Sequence, residues 1–117
     1  MDTNTAVSWD DLPAVITTYL PAHEARDIAA ALAAFTADAV VTDEGRTYRG
    51  HDEIRAWLAA TGSEYTYTTA FTGAARTAAA EFDVVQHLEG DFPGGSADLH
   101  YRFALAGDAI SRLVIEP

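Results

Sequence analysis

The apolar periodicity of the chain changes once, near residue 64, and that change restricts the fold more than any other feature. Before it, apolar side chains recur at spacings of three and four: Leu12, Val15, Ile16, Tyr19 and His23 fall on one stripe, and Ile28, Ala31, Leu32 and Phe35 on a second. After it the period is two. Tyr65, Tyr67, Thr69 and Phe71 share a face, as do Phe82, Val84, Gln86 and Leu88, and then Leu99, Tyr101, Phe103 and Leu105. A helical first half followed by a stranded second half predicts an α+β layer fold, with three N-terminal helices covering one face of a strongly curved antiparallel sheet.

Local signals set the expected boundaries. Asp10 and Asp11 before Leu12-Pro13 read as a helix start, with an acid cap and a proline in the first turn. Pro21 lacks an amide proton and is expected to kink or shorten that helix. Asp27 caps a second helix. Asp38 to Asp43 (DAVVTD) reads as a short strand, Glu44-Gly45 as a turn and Arg46 to Arg49 as the hairpin partner. Gly50-His51-Asp52 then leads into a third helix that buries Ile54, Trp57 and Leu58. Gly90 to Gly95 is the longest evident loop, and a last strand, Ala109 to Ile115, follows the Gly107-Asp108 turn. With 117 residues, 49% of them hydrophobic, the chain reads as one domain, 1–117, able to bury about two thirds of its surface without staples.

Composition removes whole classes of chemistry. There is no cysteine and no lysine, so thiol nucleophiles, disulfides, cysteine metal sites and Schiff-base lysines are excluded. All seven basic residues are arginines, set against 18 acidic ones, and a net charge of −11 does not suit a phosphate backbone, so nucleic acid is not expected as a partner. Residues 1–13 have neither a positive nor an apolar leader segment, and the apolar runs are too short for a bilayer, so no membrane association and a cytoplasmic location are expected. His23, His51, His87 and His100 show no metal-ligand spacing, so no metal is expected, and no phosphate-cradling glycine motif is present. Arg46, Arg49 and Arg55 sit among acidic neighbours and read as surface ion pairs.

The segments Tyr19 to Asp27 (YLPAHEARD), Phe35 to Gly50 (FTADAVVTDEGRTYRG) and Asp52 to Leu58 (DEIRAWL) resemble the nuclear-transport-factor-2-like superfamily. Within it the chain is most similar to small SnoaL-like proteins of the polyketide cyclase and ketosteroid isomerase branch. The resemblance implies a cone-shaped fold with an apolar pocket between helices and sheet, and a homodimer through the outer sheet face. It implies a pocket lined by Val15, Tyr19, His23, Phe35, Val41, Asp43, Trp57, Phe82, Leu99, Tyr101 and Phe103. The outer face would carry Glu81, Asp83, Val85 and His87 beside Asp98, His100 and Arg102, a mixture suited to a polar dimer interface or to solvent.

The resemblance also places Asp43 where ketosteroid isomerases carry their general base, and Tyr19, eight residues before Asp27, where they carry an oxyanion-hole tyrosine. A carboxylate beside an apolar pocket can abstract a carbon-bound proton next to a carbonyl, and a phenol can donate to the enolate oxygen. Against these roles stand two plain ones: Asp43 as a turn residue accepting amide hydrogen bonds, and Tyr19 as a packed core tyrosine. The second acid of the isomerases, a protonated carboxyl, falls at Leu99, which cannot donate. Two functions follow. One is a cofactor-independent isomerase or cyclase acting on an apolar, enolisable carbonyl compound. The other is a non-catalytic module of the same fold that binds a hydrophobic ligand or assembles as a dimer.

Overall fold

The computed structural model describes residues 5–60 and 66–117, so Tyr65 lies outside the described residues. The chain runs β1 (Thr5–Ala6), a single 3-10 turn (Trp9–Asp11), α1 (Ala14–Glu24), α2 (Ile28–Ala33), β2 (Phe35–Asp43), β3 (Arg46–Arg49), α3 (Gly50–Ala60), β4 (Tyr67–Ala78), β5 (Glu81–Gly90), β6 (Ser96–Ala106) and β7 (Ala109–Glu116). Three helices followed by a long meander is the expected α+β order.

The strands form one seven-stranded sheet in the order β1-β4-β5-β6-β7-β2-β3. It is mixed rather than antiparallel, because β2 pairs in parallel with β7. The physical reason is the crossover: α3 carries the chain from β3 to the far side of the sheet, and the β4 to β7 meander returns to dock beside β2 after three reversals. The pairing of β1 with β4 involves only Thr5 and Ala6, too short a segment to announce itself by period.

Three boundaries differ from expectation. Asp10 and Asp11 belong to the 3-10 turn, where the Ser8 hydroxyl donates to Asp11 at 3.1 Å, and α1 starts only after Pro13, whose carbonyl accepts from the amides of Ile16 and Thr17. Pro21 does not end α1, which continues through His23 to Glu24. Phe35 is not on α2 but opens β2: the helix stops at Ala33, and the Ala34 carbonyl is taken by the Ile110 amide at 2.8 Å, which draws the chain into the sheet. Asp27 caps α2 as expected, accepting from the Ala30 amide at 3.2 Å.

The helices cover one sheet face, and Ile16, Tyr19, Val41, Ile54, Phe103 and Leu113 are fully buried or nearly so between the layers. Cross-strand register sorts the inner face into rows. Val41, Leu113, Phe103 and Phe82 are direct neighbours across four strands, and the next row holds Asp43, Ile115, Tyr101 and Val84. The helices fill the first row. The second ends in a polar residue.

Candidate functional site

Asp43 ends β2 because the next two residues make the turn: Glu44 and Gly45 have φ of +53° and +76°, the left-handed pair of a tight two-residue hairpin. Across from it, α3 presents Trp57, 4% exposed, whose indole Nε1–H donates to Asp43 Oδ2 at 3.0 Å. Tyr48 of β3 lies against the indole, with ring centroids 6.1 Å apart. Beyond this pair opens a cavity of about 590 Å³. Tyr48, Trp57, Tyr67, Phe92 and Tyr101 make its wall largely aromatic, Leu88, Leu99 and Ile115 add aliphatic surface, and Asp43, Glu44, Arg46 and His23 supply charge and polarity. That volume lies within the range of small-molecule sites.

His23 reaches the cavity from the last turn of α1, its ring 5.4 Å from that of Trp57 and 6.4 Å from that of Tyr101. Its Nδ1 lies 2.7 Å from the Tyr19 hydroxyl, one helical turn earlier. Tyr19 is completely buried and meets the rings of Phe35 and Phe103 edge-on. Burial disfavours charge on both partners: it lowers the His23 pKa to about 4, and with the nearby Tyr101 and Asp43 it pushes the Tyr19 phenol well above the ordinary tyrosine range. Burial likewise raises Tyr101, with Tyr67 adding to the effect and a hydrogen bond to Gln86 opposing it.

The depressed His23 pKa has a consequence for stability. Between about pH 4 and 6.5 the unfolded chain binds a proton at His23 that the folded chain does not, so stability is fully present above about 6.5 and falls as pH drops towards 4. The loss from this residue is at most about 3 kcal/mol. Urea unfolding at pH 7 and pH 4 should show His23→Gln losing less stability than the natural chain over that interval, and an equal loss in both would place the His23 ring in water.

A Schellman motif fixes the end of α1 next to His23: the Asp27 amide donates to the Ala22 carbonyl at 2.9 Å and the Arg26 amide to the His23 carbonyl at 3.2 Å. Arg26 occupies the left-handed position of this motif with φ of +58°, where glycine is preferred. Arg26→Gly is therefore expected to stabilise the fold by about 1 kcal/mol, read as a higher urea midpoint at unchanged slope.

Of the residues expected at the site, Asp43, His23, Trp57, Leu99 and Tyr101 come together on the cavity wall. Tyr19, Phe35, Val41, Phe82 and Phe103 do not line it. They are buried in the core between the helices and the sheet. Val15 lies on the other side of α1, in a separate groove with α2 and the β6–β7 turn. Arg46 is exposed, stands opposite Asp43 in the backbone register of the hairpin, and lines the cavity. Arg55 does pair with Asp52, at 3.4 Å.

Tyr48, Leu88 and Ile115 were open to discovery from strand alternation, whereas Phe92 and Pro93 enter from the 90–95 loop, which has no period to read. The other histidines are engaged away from the cavity. His51 donates to the Phe35 carbonyl at 3.1 Å, and His87 and His100 bind Asp98 and Asp83 on the outer sheet face. Hydrogen bonds to Asp98 and Glu89 push the His87 pKa up, so that face favours its protonated form. Among the described residues no three metal-ligating side chains cluster, and no helix is long and apolar enough to cross a membrane.

Three helices on a mixed sheet, with a cavity lined from both and a carboxylate at a strand end, make up a nuclear-transport-factor-2-like fold. The chain belongs to the SnoaL-like domain family, whose model matches residues 16–113. A provisionally assigned polyketide cyclase from Sinorhizobium meliloti is similar over 94% of this chain and all of that one, with 29% identity and a TM-score of 0.85. The Δ5-3-ketosteroid isomerase of a Mycobacterium species shares the fold at 16% identity, with TM-score 0.71 and coverage of 89% of this chain and 90% of that one. A Mycobacterium tuberculosis protein in complex with estradiol-17β-hemisuccinate shares it at 14% identity, with the same score and coverage of 88% and 90%. No functionally curated protein matches the sequence.

Proposed function

We propose that this protein takes a small, mostly apolar carbonyl compound into the cavity and catalyses its proton transfer without a cofactor, as an isomerase or cyclase. The observation that carries this reading is a carboxylate, Asp43, set in the wall of a largely aromatic cavity and oriented at one oxygen by the Trp57 indole. Asp43 removes a proton from the carbon next to the carbonyl, and the electron pair of that C–H bond moves to the oxygen as an enolate. Tyr19 lies behind the cavity wall with its hydroxyl on His23 Nδ1, so it bears on this oxygen only through that histidine, which does line the cavity. The proton then returns from Asp43 to a different carbon, giving an isomer, or the enolate carbon bonds to a second carbonyl carbon in an aldol-type ring closure, with the π pair of that carbonyl moving to its oxygen, which takes the proton back from Asp43 as a hydroxyl. Leu99 supplies no second acid. The similarity to a provisionally assigned polyketide cyclase supports the cyclase side of the reading.

The second reading is a binding module, in which the Trp57 bond simply satisfies a half-buried carboxylate; the steroid ester bound by the tuberculosis neighbour favours it. Exchange of α-protons for deuterium in cyclic ketones of one to four rings, followed by proton NMR, separates the two. Catalysis predicts acceleration by the natural protein and at least about a hundredfold less by Asp43→Asn. Saturable binding without acceleration supports the module. In either case we place a homodimer on the outer sheet face, so sedimentation should return twice the 12.5 kDa chain mass.

A further inference from the structure

His23 stands on the cavity wall with one ring nitrogen already assigned a partner, and that partner dictates what the other can do. The Tyr19 side chain is completely buried, with its ring edge-on to those of Phe35 and Phe103, and the hydrogen-bond partner of its hydroxyl is His23 Nδ1 at 2.7 Å. Were the hydroxyl to accept from an Nδ1–H, its own proton would be left without a hydrogen-bond partner in the core, an orphaned donor costing about 1–3 kcal/mol. When it donates, only a lone pair goes unfilled. Nδ1 is then the acceptor, and the single proton of a neutral imidazole must sit on Nε2.

The ring lies 5.4 Å from that of Trp57 and 6.4 Å from that of Tyr101, both cavity residues, and with Nδ1 held by the Tyr19 hydroxyl the Nε2 side of the ring is turned away from that bond. We propose that His23, held as the Nε2–H tautomer by the Tyr19 hydroxyl, is the hydrogen-bond donor the cavity offers to its ligand's oxygen, with Tyr19 a positioning residue behind it. The inference deepens the proton-transfer reading and rests on it for the identity of that oxygen. It names the recognised group as a hydrogen-bond acceptor, a carbonyl oxygen that becomes an enolate. A neutral imidazole N–H suits that task because it remains a donor throughout the working pH range and gains strength as negative charge develops on the acceptor.

The test uses 1-tetralone, whose ketone can accept but cannot donate to Asp43, against tetralin, which has the same rings and no oxygen. In the natural protein, nitrogen-15 NMR should show His23 protonated at Nε2 and bare at Nδ1 at pH 7, and tetralone should bind about tenfold more tightly than tetralin. His23→Leu should erase that preference, and His23→Gln, which keeps a donor near the Nε2 position, should restore part of it. Tyr19→Phe should turn the single tautomer into a mixture, a signature that a purely structural tyrosine would not produce. Protonation at Nδ1 in the natural protein overturns the proposal without any variant, and so does an unchanged tetralone preference in a folded His23→Leu. None of these readouts needs turnover. If Asp43-dependent exchange fails while the preference holds, the catalytic reading falls and the donor stands; the reverse outcome removes the donor alone.

Discussion

Replacing Asp43 by asparagine should slow catalysed α-proton exchange by about 100- to 10,000-fold, the range associated with losing a positioned general base. The fold should survive, because an asparagine oxygen can still accept from Trp57 Nε1–H at the place where Oδ2 now lies, 3.0 Å away. Tetralone binding should change by less than about threefold, since the aromatic wall is untouched. Deuterium exchange, thermal melting and ligand titration on the same preparation read the three quantities separately. Exchange retained within about tenfold would mean that another group takes the proton, and Glu44 is the neighbouring carboxylate of the wall.

Trp57 should be the most costly single truncation. It is 4% exposed, packs against Tyr48 and His23, and joins α3 to the end of β2 through its bond to Asp43. Trp57→Ala is expected to cost about 3–5 kcal/mol by cavity formation in the core. Trp57→Phe keeps most of the apolar packing and removes the donor to a charged group, for a cost of about 1.5–3 kcal/mol. Urea denaturation of both variants measures the difference, and exchange kinetics on Trp57→Phe report whether an unanchored Asp43 still works. A cost below about 1 kcal/mol for Trp57→Ala would contradict the packing of α3 described above.

The parts of the fold that a period can encode were legible in the chain. Ile16, Tyr19 and His23 of the first stripe share a face of α1, the alternation from Phe82 to Leu88 is the buried side of β5, and Tyr101 and Phe103 are buried on β6 as alternation requires, whereas Leu12 precedes the helix and Val15 faces another groove. Direction and partnership are different matters. Whether the last strand meets β2 in parallel depends on where α3 returns the chain, and no residue in Ala109–Glu116 carries that information. Phe35 stands three residues after Leu32, a spacing that fits a helix, while its place in β2 is decided by the Ile110 amide at the Ala34 carbonyl, a contact remote in sequence.

The site followed the same division. The position of Asp43, at the end of an apolar strand next to a tight turn, is a local pattern that the sequence carries. The burial of Tyr19 is equally local, but a helical stripe says which face is buried, and not whether a hydroxyl at its centre meets ligand or a histidine one turn later. The wall residues from β3, β7 and the 90–95 loop come from segments far apart in sequence that only the assembled sheet brings to one place.

If the cavity beside Asp43 is where this protein meets its ligand, a crystal structure with 1-tetralone will show the ligand there. The rings should lie against Trp57 and Tyr101, with the ketone oxygen within hydrogen-bond distance of His23 Nε2 and the adjacent methylene facing Asp43. Tetralone seated instead in the groove between α1 and α2, or on the outer face of the sheet, would contradict it.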